Sequence, residues 1–111
     1  MTRHDDRVRF QHMLEAAEKA VKLSEGKSRA DLDSDETFAL AVTRLLEILG
    51  EASNHVSDEI KENNPGIPWH EFRGVRNHLI HGYFDVDWDI IWQILSKDLP
   101  AVIPEIRKLS G

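Results

Sequence analysis

The segment GVRNHLIHGY, residues 74–83, concentrates side chains that can bind phosphate and transfer protons. It contains Arg76, Asn77, His81 and Tyr83. Arginine stays charged and matches phosphate oxygens with its forked N–H groups, and histidine can give or take a proton near neutral pH. Together they suit cleavage of an RNA phosphodiester, in which the neighbouring 2′-hydroxyl attacks phosphorus and no metal is required.

Helical spacing predicts how these side chains are arranged. Arg73, Asn77 and His81 are each four residues apart and form one polar stripe on a helix. Arg76 is five residues from His81, about 140° around the axis, so the two do not converge fully on one straight helix. A twofold pairing of this helix would bring two Arg–His sets to one cleft. We therefore predict catalytic Arg76 and His81, supported by Asn77 and Arg73.

A purely structural interpretation of the same residues stays open. A histidine followed by glycine, as in His81 and Gly82, is also typical of a helix C-terminus. Arg73 and Arg76 could be solvated surface side chains, and Tyr83 a half-buried aromatic with its hydroxyl at the surface.

The sequence gives weaker support for a metal or cofactor site than for a metal-independent phosphodiester-cleaving site. His78 and His81 are three residues apart, but a metal site would also need carboxylate partners on facing helices. Glu51 and His55, four residues apart, could contribute such a pair. No glycine-rich phosphate loop is present, so we predict neither a metal nor a cofactor. The three tryptophans fall on apolar stripes and are predicted to lie in the core or a dimer interface: Trp69, Trp88 and Trp92.

The elements that position the polar stripe are predicted to be helices. Apolar residues at spacings of three and four begin after Asp5 and Asp6, and Gly26 is suited to end that first helix. The polar residues 27–33 are predicted to form a loop.

A second helix is predicted to begin with Asp33 or Ser34 as its cap and to continue to Lys61 or Glu62. Its wide apolar stripe indicates a central helix that is contacted on more than one side.

The third helix should start at Pro68 and end at Gly82. A fourth is predicted after a cap at Asp85 or Asp87, and Pro100 is expected to start or kink a last short helix. The pattern predicts an all-α fold, an antiparallel bundle of four to five helices, in one domain over residues 1–111.

Composition narrows the function classes. The chain has 111 residues, 20 acidic against 14 basic side chains and no cysteine. A net charge of -6 argues against a protein that holds nucleic acid on a broad basic surface, although a local basic cleft is compatible with it. No apolar run reaches the roughly 18 residues of a membrane span. We expect a cytoplasmic protein without a membrane partner, and, because a small domain buries little surface, a homodimer.

Several segments, taken together, resemble HEPN-domain toxins of the HepT type. The pattern Arg76, four residues, His81, one residue, Tyr83 is the core of the likeness. Around it, in the expected order, stand the following segments: LLEILGEAS (45–53), IPW (67–69), RNHLIHGYFDVD (76–87) and IIWQIL with DLP (90–100).

The resemblance implies a dimeric helical bundle with its active cleft at the twofold interface. It implies metal-independent endoribonuclease activity with Arg76 and His81 as catalytic residues and Asn77 as a supporting one. It also implies a toxin–antitoxin pair whose antitoxin, a minimal nucleotidyltransferase, transfers AMP onto Tyr83. AMP there would add a bulky anion beside His81 and block the cleft.

Two functions of other classes remain. The chain could be a non-catalytic nucleotide-binding or regulatory subunit of a nucleotidyltransferase complex, or a helical interaction module. The presence of both Arg76 and His81 favours the ribonuclease, because a scaffold requires neither.

Overall fold

The computed structural model describes the backbone of residues 4–80 and 86–111, and the side chains of residues 5–75 and 86–111. The longer helices are α1 (His4–Ser24), α3 (Glu36–Asn54), α5 (Trp69–Ile80) and α7 (Leu99–Ser110), the shorter ones are α2 (Asp31–Ser34), α4 (Asp58–Asn63) and α6 (Trp88–Gln93), and a π-helical turn (Ile94–Asp98) joins α6 to α7. No strand occurs in the described ranges. The predicted all-α bundle is confirmed; its dimerisation stays a prediction.

The helices assemble around one apolar core. α3 packs against both α1 and α5, and α1 also packs against α7 and the π-helical turn. The predicted central position of α3 is therefore confirmed. The largest fully buried apolar side chains come from α1, α3, α5 and the C-terminal helices: Phe10, Met13, Val42, Leu46, Leu49, Phe72, Ile94, Leu95, Leu99 and Ile106. None of the described helices combines the length and apolar character needed to cross a bilayer.

The first helix follows the sequence pattern closely. Asp5 and Asp6 lie in its first turn, where acidic side chains favour the positive end of the helix dipole. Gly26 follows its end with φ of 74°, the left-handed conformation that favours glycine. The amide of Lys27 donates to the carbonyl of Ser24 at 3.0 Å and closes the end of the helix.

The predicted loop over residues 27–33 is wrong in its second half, where α2 forms one helical turn. The carboxylate of Asp31 accepts a hydrogen bond from the amide of Ser28 at 2.7 Å, which favours this turn. Leu32 is buried in the core. Burial of Leu32 favours the turn. The sequence offers little sign of it, because this leucine stands between two aspartates in a polar segment.

The cap of α3 also differs from the prediction. Asp35, and not Asp33 or Ser34, accepts a hydrogen bond from the amide of Phe38, at 3.1 Å. This bond, together with the ammonium group of Lys27, lowers the pKa of the Asp35 carboxyl. Asp33 and Ser34 are not available as caps because they belong to α2.

The second helix is shorter than predicted. It ends at Asn54 instead of continuing to Lys61 or Glu62, and α4 begins only after Ser57, which has ψ of 149°. Asp6 of α1 accepts hydrogen bonds from the amide of Ser57 at 3.1 Å and from its hydroxyl at 2.9 Å. A buried carboxylate from another helix thus captures an amide that a continuous helix would have bonded internally.

Asp87 caps α6 as predicted. Its carboxylate accepts hydrogen bonds from the amides of Asp89 at 3.0 Å and Ile90 at 3.3 Å. The alternative cap, Asp85, lies outside the described residues, as does the predicted helix end at Gly82.

A widened turn precedes Pro100. There the amide of Leu99 donates to the carbonyl of Ile94, five residues earlier, which is the π-helical pattern. Proline lacks an amide hydrogen and its ring clashes with the preceding turn of a regular helix. The predicted distortion at Pro100 is confirmed, and it takes the form of this turn.

Candidate active site

The helix that carries the polar stripe, α5, begins at a rigid turn. The amide of Phe72 donates to the carbonyl of Pro68 at 3.1 Å, so Pro68 is the N-cap of α5, one residue before the predicted first helical position, and the helix begins at Trp69. The indole Nε1 of Trp69 donates to the carbonyl of Asn64 at 3.0 Å. The indole bond joins the start of α5 to the end of α4.

Apolar contacts hold the first half of α5 on the bundle. Phe72 and Val75 are buried, and α5 packs against α3. The Trp69 ring is partly buried and lies 6.3 Å from the ring of Phe10 on α1, centroid to centroid. Trp69 therefore belongs to the edge of the core, as do the partly buried Trp88 and Trp92.

A pair of carboxyl groups links α5 to the π-helical turn. Partial burial, and then a hydrogen bond and charge repulsion from Asp98, raise the pKa of Glu71 to about 7. The Asp98 Oδ2 atom is buried and has no conventional donor within the described residues. A proton on Glu71 lets that carboxyl donate to Asp98 and relieves the repulsion. The sequence offered no signal for this pair, because spacing does not show that the two residues meet.

The structure describes the predicted site residues to different extents. Arg73 lies on α5 with its side chain exposed to solvent. The backbone of α5 continues through Arg76 and Asn77, so Asn77 stands one helical turn beyond Arg73, but both side chains lie outside the described residues. His81 and Tyr83 lie outside them entirely. The convergence of Arg76 and His81 stays a prediction.

Glu51 and His55, the candidate metal ligands at the end of α3, contact each other directly. His55 Nε2 lies 3.1 Å from Glu51 Oε1, and both side chains are about half exposed. Within residues 5–75 and 86–111, no group of three or more histidine, cysteine, aspartate or glutamate side chains is arranged to hold a metal ion. The second candidate pair, His78 and His81, lies outside that part of the chain.

Comparison with known proteins decides the family. The sequence model of the family described as "Ribonuclease HepT-like" matches residues 13–109. The chain belongs to this family. The match covers seven-eighths of the sequence and includes α3, α5 and the whole segment from Arg73 to Tyr83.

Three of the relatives of this HepT-like protein align with it along most of their length. The protein named "Putative RNase MJ1380" of Methanocaldococcus jannaschii is 32% identical over 107 residues, 96% of this chain and 98% of the relative. "Probable ribonuclease HepT" of Thermococcus cleftensis is 37% identical over 100 residues, 86% of this chain and 91% of the relative. "Putative RNase TTE0752" of Caldanaerobacter subterraneus is 33% identical over 100 residues, 90% and 89% of the two chains. No solved structure gives a significant match.

Proposed function

We propose that this HepT-like protein is a metal-independent endoribonuclease that acts as the toxin of a cytoplasmic toxin–antitoxin pair. The observation that carries the proposal is the family match over residues 13–109, which includes Arg76 and His81. Ribonuclease is also the activity in the names of its relatives. A buried first half of α5 supplies a rigid base for the helical part of the motif.

The proposed reaction uses the RNA as its own nucleophile. The 2′-oxygen bonds to phosphorus while the bond from phosphorus to the 5′-oxygen breaks, leaving a 2′,3′-cyclic phosphate and a 5′-hydroxyl. His81 takes the proton of the 2′-hydroxyl or gives one to the leaving oxygen. Arg76 stabilises the negative charge that builds on the phosphoryl oxygens. Asn77 and Arg73 orient the phosphate or the imidazole.

The active cleft is proposed to lie across a twofold axis of a homodimer. Two residues five positions apart on one regular helix lie about 140° apart around its axis, so a second copy is proposed to supply the partner that Arg76 and His81 each lack. Arg73 supports this arrangement, because its side chain is exposed while Phe72 and Val75 face the core. Arg73, the first residue of the predicted polar stripe, therefore lies on a solvent-accessible side of α5.

The first test is RNA cleavage by the purified protein in the presence of a chelator. The wild type should cleave RNA and leave cyclic phosphate ends. Arg76→Ala and His81→Ala should each lower the rate about 100- to 10,000-fold, the range expected for loss of a general acid–base or a charge-stabilising group. Cleavage that stops with the chelator would contradict metal independence.

Two control variants test whether the loss of cleavage is specific to the motif residues. His70 is an exposed histidine on the same helix, and Arg7 is an exposed arginine on α1. His70→Ala and Arg7→Ala should cleave like the wild type. If all four variants cleave equally well, the activity does not use this motif, and the non-catalytic subunit becomes the better proposal.

Mixing two inactive variants tests the shared cleft. If each site takes Arg76 from one copy and His81 from the other, a mixed dimer of Arg76→Ala and His81→Ala contains one intact site. Random mixing makes half of the dimers mixed, so about a quarter of wild-type activity should return. Light scattering should show a dimer; a monomer with full activity would eliminate the shared cleft.

The antitoxin is proposed to be a nucleotidyltransferase that attaches AMP to Tyr83. The tyrosine oxygen attacks the α-phosphorus of ATP and pyrophosphate leaves. Mass spectrometry after co-expression should find one added AMP on the wild type and none on Tyr83→Phe. A neutralised complex that contains unmodified Tyr83 would show inhibition by contact instead.

A further inference from the structure

A solvent-open groove between α1 and α3 is distinct from the α5 motif. At one end it has a volume of about 660 Å³. Six residues line it there and define what we call the Leu23 groove: Lys19, Lys22, Leu23, Ala41, Arg44 and Leu45. α1 supplies the first three and α3 the other three, so the floor of the groove is the seam of a packed helix pair.

The floor of the Leu23 groove is aliphatic and accessible. Leu23 lines the groove and is 44% exposed; Leu40, which precedes Ala41 in the sequence but is not one of the six lining residues, is 48% exposed. They are two of the three large apolar side chains that are exposed in the described part of the chain. Ala41 and Leu45 extend this surface at a spacing of four residues along α3. Contiguous exposed apolar surface of this kind is typical of an interaction site.

The rim of the Leu23 groove is cationic although the protein carries a net charge of -6. Lys19 and Lys22 are exposed, and neither forms an ion pair with another described side chain. Arg44 reaches only Glu47, at 3.8 Å and with its own side chain 70% exposed. Arg107, by contrast, contacts the carboxylate of Glu18 at 3.0 Å. The groove thus keeps its positive charges available.

We propose that the Leu23 groove docks an acidic amphipathic helix from a partner protein. A third helix fits a seam between two helices, its leucine-like side chains entering the aliphatic floor. Carboxylates on its flanks would meet Lys19, Lys22 and Arg44. Bases of a single-stranded nucleic acid would require aromatic side chains for stacking, and none lines this groove. The proposal does not depend on ribonuclease activity, because none of these residues belongs to the motif.

A designed peptide pair tests the proposal. The probe is a fluorescein-labelled helical peptide of about 16 residues with leucines on one face and glutamates on both flanks. The control peptide has the same leucines and carries lysine at each glutamate position. Anisotropy titration against the full chain should show saturable binding of the acidic peptide. The lysine peptide should bind at least about tenfold more weakly. Equal affinity of the two peptides would overturn the proposal.

Two groove variants and one matched control locate the binding. Lys22→Glu should weaken the acidic peptide about three- to tenfold, and Leu23→Ser about tenfold through lost apolar contact. Lys108→Glu makes the same charge change on the exposed side of α7 and should leave the affinity unchanged. Circular dichroism checks that all three variants fold. If Lys108→Glu weakens binding as much as Lys22→Glu, general electrostatics explains the binding and the docking site is eliminated.

Two further outcomes would assign the groove to another occupant. If light scattering shows a dimer for the wild type and a monomer for Lys22→Glu, the groove is an interface between two copies of this chain. If a single-stranded RNA displaces the peptide and loses affinity with Lys22→Glu but not with Lys108→Glu, the occupant is nucleic acid. Either result overturns the proposal. An unchanged dimer and no displacement by RNA support the acidic helix.

Discussion

The α1–α3 pair and α5 belong to one bundle but are held in it by different contacts. α1 and α3 meet through fully buried apolar side chains such as Phe10, Met13 and Leu46. The first half of α5 combines buried Phe72 with polar links that start from Trp69 and Glu71 and end on other segments. A helix proposed to carry chemistry is therefore oriented by a few directional contacts, while the scaffold beneath it depends on packing.

The largest effect is expected from the apolar scaffold. Phe10→Ala removes a fully buried ring of α1 that lies beside Trp69 of α5. We expect a loss of about 3–5 kcal/mol in the free energy of unfolding, because the lost transfer energy and the cavity both destabilise the fold. Urea unfolding followed by circular dichroism measures it.

The control for this prediction is Leu23→Ala on the same helix, where the side chain is 44% exposed. It should cost less than about 1 kcal/mol. Similar losses for both variants would mean that α1 is not held by its buried face, and the comparison with α5 would fail.

A smaller effect is expected at the carboxylate that interrupts the second predicted helix. Asp6→Ala leaves the Ser57 amide and hydroxyl without their acceptor. We expect a loss of about 1–3 kcal/mol, the range for removing a partner from buried polar groups. Asp5→Ala changes an exposed neighbour and should cost much less. Amide hydrogen exchange should accelerate at Ser57 in the first variant; unchanged exchange there would contradict the assigned role.

The smallest effect concerns the link from α5 to the π-helical turn, and it depends on pH. The folded protein raises the pKa of Glu71 from an ordinary 4.5 to about 7, so it holds a proton that the unfolded chain releases. The contribution of this proton to stability is fully present below pH 4.5 and is lost as the pH rises through about 7. Above that pH two carboxylates repel each other.

Glu71→Gln should therefore stabilise the protein at pH 8 and change its stability little at pH 5. Because Glu71 is only partly buried, the gain should be on the order of 1 kcal/mol or less. Urea unfolding at both pH values measures the difference, and Glu59→Gln, an exposed site on α4, controls for net charge. A gain that is equal at pH 5 and pH 8, or equal in both variants, would eliminate the carboxyl pair as its cause.

Local patterns in the sequence were sufficient for much of the fold. The first helix and its glycine end, the start of α5 directly after Pro68 and the cap at Asp87 all depend on neighbours within one helical turn. The motif over residues 76–83, together with the segments 45–53, 67–69 and 90–100, was likewise sufficient to indicate the ribonuclease family, which the match over residues 13–109 shows independently.

Only the tertiary structure decided the features that depend on distant residues. Apolar spacing continues from Ala52 to Val56, so periodicity alone extends the second helix, whereas Asp6, 51 residues from Ser57, ends it. The meeting of Glu71 with Asp98 and the cationic Leu23 groove likewise require packed helices. The sequence by itself determined most of the helices and the residue types of the motif, because a helix follows from interactions along one turn. The fold alone decided helix breaks, pKa shifts and open surfaces, because these follow from which turns become neighbours in space.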